Sequence, residues 1–136
     1  MAVRPKYRSY AIALDPDGGL TAEQEARFQL DERWTPEHLV LAALAHCLVT
    51  SLAFHARRAK LGVAASVAAA GVVGPRADGS WGFTEIECSL DVDLDPVTPR
   101  DDLAQFLARA ERGCFVGASL APKPTYRWSV NGEAAP

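Results

Sequence analysis

Apolar positions change their spacing along the chain, and each change marks an element. Residues 35–62, TPEHLVLAALAHCLVTSLAFHARRAKLG, are apolar around nearly the whole helical circumference. That pattern predicts a long helix without the single polar face of a surface helix. Thr35 is placed to cap it, Pro36 fits its first turn, Glu37 suits its positive end and Gly62 supplies the stop. Such a helix is central, so either the rest of the chain wraps it or a second subunit covers part of it. From Phe83 to Leu94 the period switches to two. Ile86, Cys88, Leu90, Val92 and Leu94 share one face, and Glu85, Glu87, Ser89, Asp91 and Asp93 the other. This is the pattern of a half-buried antiparallel strand, and ASVAAAGVVGPRADGSWGF before it supplies a partner strand with a turn around RADGS. A second helix follows in TPRDDLAQFLARAERG. It has Thr98 as cap, Pro99 at the first position, Asp101 and Asp102 in the first turn, and Gly113 at the stop. Its apolar stripe is Leu103, Phe106, Leu107 and Ala110. Short strands around a Pro-Asp-Gly-Gly turn open the chain and TYRWSVNG closes it. The class is α+β, with a single domain over residues 1–136 and no internal repeat or linker.

Composition narrows the setting. A chain of 136 residues suits one modest core, or a subunit that completes its core by association. The net charge of −3 argues against nucleic acid as a partner. Arg57, Arg58 and Lys60, the densest basic cluster, complement a helix C-terminus. No secretory leader is expected, because the N-terminal stretch is polar and broken by Pro5 and Pro16. The apolar run from Leu39 to Phe54 is short for a bilayer and interrupted by His46, so no membrane association is expected. Cys47, Cys88 and Cys114 form neither a disulfide framework nor a paired zinc pattern. A cytoplasmic setting follows, in which a cysteine pair would be redox-active. His38, His46 and His55 lack a ligand spacing, so neither a metal nor a cofactor is expected.

Cys47 lies in the middle of the long helix. A free cysteine there is commonly a small hydrophobe, but its surroundings in sequence suggest more. Glu37 precedes it by ten residues, in TPEHLVLAALAHC, and Arg27-Phe28 precedes Glu37 by another ten. Cys114 follows the second helix in AERGCFVGASL. In these pieces, in this order, the sequence resembles the OsmC/Ohr family of thiol-dependent hydroperoxide reductases, and it is closest to the OsmC-type pattern. The resemblance implies an OsmC-like fold, with antiparallel sheets around a long central helix and completion by homodimerisation. It implies Cys47 as peroxidatic thiol, Cys114 as resolving thiol, Arg27 and Glu37 as the activating pair, organic hydroperoxides as substrates, and reduction by a dithiol such as a lipoylated protein. The family pattern often has proline after the second cysteine, where this chain has Phe115.

The chemistry of these residues gives the same assignment a physical basis. A thiol attacks an O–O bond as thiolate, and an apolar setting opposes ionisation. Arg27 can supply a positive charge that never deprotonates, and Glu37 can hold the guanidinium in a bidentate fork. Arg33, four residues before Glu37, is the alternative activator. Ten helical residues span ~15 Å, so Glu37 and Cys47 cannot touch along one helix. Their coupling must run through an arginine, a bend or a subunit interface. Leu44, Leu48, Phe54 and Phe115 are expected to line an apolar site for a bulky hydroperoxide. Cys88 is expected to be structural and His46 a packing residue. A non-enzymatic OsmC-like protein that binds an apolar ligand or senses oxidation remains the alternative.

Overall fold

The structure, a computed structural model, describes residues 6–135. The part of the leader reading that rests on Pro5 lies outside them. The chain divides into two compact units, a smaller one ending at Pro36 and a larger one, Glu37–Pro136.

In the smaller unit, strands β1 (Ile12–Leu14), β2 (Gly19–Ala22) and β3 (Arg27–Gln29) form an antiparallel meander. Gly18 turns the chain between the first two at φ +86°, a left-handed conformation that suits glycine. Leu20 and Ala22 on the central strand are half-buried, and the outer strands leave apolar side chains open. Ile12, Leu14 and Phe28 are 69, 60 and 55% exposed.

The larger unit is built on one long hairpin. β4 (Gly62–Pro75) and β5 (Trp81–Asp95) pair antiparallel, joined by the Arg76–Ser80 turn. The alternation in β5 is as expected, with Ile86, Cys88, Leu90, Val92 and Leu94 buried and the intervening acidic and serine positions exposed. β6 (Thr125–Val130) then pairs with β5 in parallel, and β7 (Glu133–Ala134) returns antiparallel through Asn131-Gly132, both at positive φ. The sheet, in order β4-β5-β6-β7, is therefore mixed and not wholly antiparallel. A parallel neighbour needs a crossover connection. Here the crossover carries α2 (Arg100–Arg112) and a short helix α3 (Phe115–Ser119) that the hydropathy pattern did not single out.

The long helix α1 runs unbroken from Pro36 to Arg58. It is long and apolar enough to cross a membrane by length and composition, yet Leu44, Leu48, Ser51, Leu52 and Ala56 form a stripe buried in the core. That stripe packs with the inner face of β5, with Phe106, Leu107 and Ala110 of α2, and with Trp128 and Val130 of β6. The opposite face, with Ala42, Ala43, His46, Val49 and Phe54, is exposed. The ends of both helices differ from expectation. Lys60, at φ +60°, takes the left-handed position after α1, and the Leu61 N–H closes onto the Ala56 carbonyl at 2.8 Å. Gly62 instead begins β4. Pro99, not Thr98, is the residue before α2, and no side-chain cap bond forms there.

Gly113 ends α2, but at φ −80° it is not there for left-handed freedom. A Cβ on it would stand 2.7 Å from Ser51 Oγ and 3.0 Å from His55 Nε2. The Ser51 hydroxyl is itself fixed by donating to the Ala110 carbonyl at 2.7 Å in the buried seam between the helices. The glycine thus lets α2 approach α1. Gly113→Ala should destabilise the chain by ~1–3 kcal/mol through overpacking, despite the better helix propensity of alanine. Urea denaturation measures this, and an unchanged or raised midpoint would mean the seam is slack.

Candidate functional site

The seam between α1 and α2 leads directly to the cysteines. Cys114 follows Gly113 and caps α3, its sulfur accepting the Gly117 N–H at 3.4 Å. Cys47 lies on α1 at the flank of the buried stripe, half-buried, with Leu44 and Leu48 beside it in the core. Cys47 stands near enough to Cys114 for its side chain and charge to raise that thiol. All three cysteines are free thiols. Two residues 67 positions apart in sequence are thus brought together because α1 and the head of α3 pack on one face of the sheet.

Burial sets the ionisation of the surrounding groups. It pushes the Cys114 thiol up to about 11, opposed by the Gly117 N–H and reinforced by the Cys47 side chain and the charges of Cys47 and Cys88. Burial alone pushes Cys88 up to about 11. Tyr126, opposite Cys88 in the β5–β6 register, is pushed up to about 12, first by burial and then by the charges of Cys114, Cys88, Glu111 and Cys47. Both Cys88 and Cys114 are under 2% exposed.

The remaining expected site residues take different positions. Glu37 lies in the first turn of α1, exposed, and ten residues of continuous helix keep it ~15 Å along the axis from Cys47. With no break in α1, a bend does not bring the two together. Arg27, on β3, is 63% exposed at its side chain and pairs within its own unit with Asp15 at 3.4 Å. Arg33 pairs with Asp31 at 2.7 Å. The side-chain bond between them, with a backbone bond from Arg33, holds Asp31 below the usual carboxylate range and raises Arg33. His46 is exposed on the outer face of α1. The expected apolar lining is corrected. Leu44 and Leu48 are wholly buried in the core, whereas Phe54 and Phe115 stand 47 and 61% exposed. Leucines on the stripe that faces the sheet cannot also face a ligand. Phe54, seven residues after Cys47, shares its helix face, and Phe115 adjoins Cys114, so the aromatic pair remains on the open side.

Sequence reading missed Gly117 and Tyr126. A Cβ at Gly117 would meet Tyr126 Oη at 2.6 Å, Cys114 Sγ at 3.3 Å and Leu44 Cδ1 at 3.5 Å. Both residues also line a cleft of about 420 Å³ with Glu111, Arg112, Ala118, Lys123 and Pro124. The alternation Tyr126, Trp128, Val130 in the last strand was the available signal for an inward tyrosine. Among the described residues, no group of three or more His, Cys, Asp or Glu side chains is arranged to hold a metal ion.

Residues 29–129 match the family model described as OsmC-like protein. Solved structures share the fold. An OsmC-like protein of unknown function from Vibrio cholerae aligns at TM-score 0.69 and 15% identity, over 82% of each chain. An organic hydroperoxide resistance protein from Elizabethkingia anophelis aligns at TM-score 0.66 and 17% identity, over 90% of this chain and 98% of the other. The organic hydroperoxide resistance protein OhrB of Bacillus subtilis aligns at TM-score 0.55 and 14% identity, over 90% and 96%. No curated protein matches the sequence.

The raised thiols have a consequence for stability. Cys88 and Cys114 keep their protons in the folded chain up to about 11, whereas an unfolded cysteine releases its proton near about 8.5. Between those values the unfolded state binds fewer protons, so stability falls as pH rises. Melting temperature should decline from pH ~8.5 to ~11, and the decline should be shallower in Cys88→Ala. Parallel slopes would remove burial of Cys88 as the cause.

Proposed function

The chain belongs to the OsmC-like protein family, and from that premise we propose that it is a thiol-dependent peroxidase that reduces organic hydroperoxides. The observation that carries this reading is the Cys47–Cys114 thiol pair at the α1–α3 junction. Names of structural neighbours from Elizabethkingia anophelis and Bacillus subtilis support the substrate class. In this reaction the Cys47 thiolate attacks the distal peroxide oxygen. The O–O bond breaks, an alcohol leaves, and Cys47 becomes a sulfenic acid. Cys114 then displaces hydroxide from Cys47 to form a disulfide, and an external dithiol, such as a lipoyl group, restores both thiols by exchange. Arg27 stabilises the Cys47 thiolate and Glu37 orients the guanidinium, with Arg33 as the other arginine of the same stretch. Phe54 and Phe115 offer apolar contact to an organic peroxide.

The same reading includes a homodimer in the cytoplasm. Its support is apolar surface left open on a chain of this size, namely Val49 and Phe54 on α1 and Ile12, Leu14 and Phe28 on the small sheet. Sedimentation should give a dimer for the native chain and a monomer for Phe54→Glu. A native chain that sediments as a monomer at micromolar concentration would remove the dimer.

Activity is tested with cumene hydroperoxide and dihydrolipoamide. The native chain should turn over steadily. Cys47→Ser should lose turnover altogether, and Cys114→Ser should consume about one equivalent and stop. Arg27→Ala should slow Cys47 oxidation by roughly 10- to 100-fold, the effect of losing a charged hydrogen-bond partner. Peptide mapping after peroxide should find the Cys47–Cys114 link. Ligand binding without turnover in the native chain would leave a non-enzymatic binding protein or sensor instead.

A further inference from the structure

Tyr126 carries a hydroxyl that the reaction above does not use. The parallel β5–β6 pairing sets it opposite Cys88, and the inward alternation of Trp128 and Val130 places it on the core side of β6. Its Oη and the Cys114 Sγ both border Gly117, 2.6 and 3.3 Å from where a Gly117 Cβ would stand, and no hydrogen bond joins them at rest, so the bond belongs to the state in which the sulfur carries charge. Only glycine leaves room for both. Burial and the thiols around it hold the phenol protonated, so it can donate and not accept a proton. The Gly117 N–H already donates to the same sulfur. The Glu111 carboxylate, whose charge also acts on the phenol, accepts the Trp128 indole N–H at 2.8 Å.

We propose that Tyr126 is a hydrogen-bond donor to Cys114 in the resolving step, assisting the Gly117 N–H as the Cys114 sulfur takes on negative charge. The inference rests on the peroxidase reading and adds a residue to it. In that step the Cys114 sulfur bonds to the Cys47 sulfur and the Cys47 S–O bond breaks. The departing hydroxide takes the Cys114 thiol proton and leaves as water. Cys114 is oxidised, sulfenic Cys47 is reduced to the disulfide level, and Tyr126 keeps its own proton throughout. A thiol raised by burial is a poor nucleophile, because little of it is thiolate. Donors aimed at the sulfur lower the cost of the charge it must carry.

The test uses the full chain and Tyr126→Phe, which keeps the ring and removes the hydroxyl. One equivalent of cumene hydroperoxide is added with dimedone present. The variant should form the Cys47–Cys114 disulfide about tenfold more slowly, the effect of losing one hydrogen bond to a charged group. Dimedone-trapped Cys47 should increase to match. Without peroxide, the ¹³Cβ resonance of Cys114 followed against pH should titrate at a higher midpoint in the variant. Cys47, Cys88 and Glu111 also face this cluster, and their own resonances report any indirect change. In the native chain the Tyr126 ¹³Cζ resonance should move with the Cys114 titration. An unchanged midpoint, or a Tyr126 resonance indifferent to Cys114, overturns the proposal, and the latter does so even if the variant fails to fold. If the native chain yields neither sulfenic acid nor disulfide, the peroxidase reading fails, while the midpoint still decides whether Tyr126 acts on Cys114.

Discussion

The packing of α1 onto β5 is the constraint from which the rest follows. Leu44, Leu48 and Leu52 are wholly buried, and they meet Ile86, Leu90 and Val92 in one core cluster. Fully burying a leucine contributes roughly 1.5–3 kcal/mol, so the rotational setting of α1 is firmly held. That setting puts Cys47 at the edge of the buried stripe. A rotation of one residue would either bury the thiol completely or turn it to solvent. The same core positions α2, whose close approach at Gly113 delivers Cys114 to the edge where Cys47 emerges.

The two thiols differ as the proposed peroxidatic and resolving roles require. Cys47 is half-buried and borders the exposed side of α1, where a substrate can approach. Cys114 is wholly buried and held as a thiol. A buried, protonated partner does not compete for peroxide, because the reacting species is the thiolate. It has only to reach a sulfur already beside it. The Gly117 N–H donates to its sulfur, and the Tyr126 hydroxyl borders the same glycine.

Apolar surface is distributed unevenly. The inner face of the four-stranded sheet is covered by α1 and α2, and its outer face carries Glu85, Glu87, Asp91 and Asp93. The three-stranded sheet and the outer face of α1 instead leave Ile12, Leu14, Phe28, Val49 and Phe54 open. A long helix apolar on all sides is the sequence form of this arrangement, since one face serves the chain's own core while the other stays exposed.

The sequence by itself determined the longer elements. Period-two alternation in β5, the apolar run of α1 and the Leu103–Ala110 stripe of α2 are local patterns, and each appears where the residues predict it. Cys47, Cys114 and their spacing relative to Glu37 and Arg27 were equally legible, because motif offsets are properties of the chain alone. Only the tertiary structure decided which residues meet. The parallel placement of β6, the capping of α3 by Cys114, the reason for Gly113 and the setting of Tyr126 opposite Cys88 and against Gly117 all depend on contacts between distant segments. Leu44 and Leu48 could be read as pocket lining only until the face of α1 that packs on the sheet was known. Sequence period tells which side chains share a face; burial against a particular neighbour decides which face is core and which is left for chemistry.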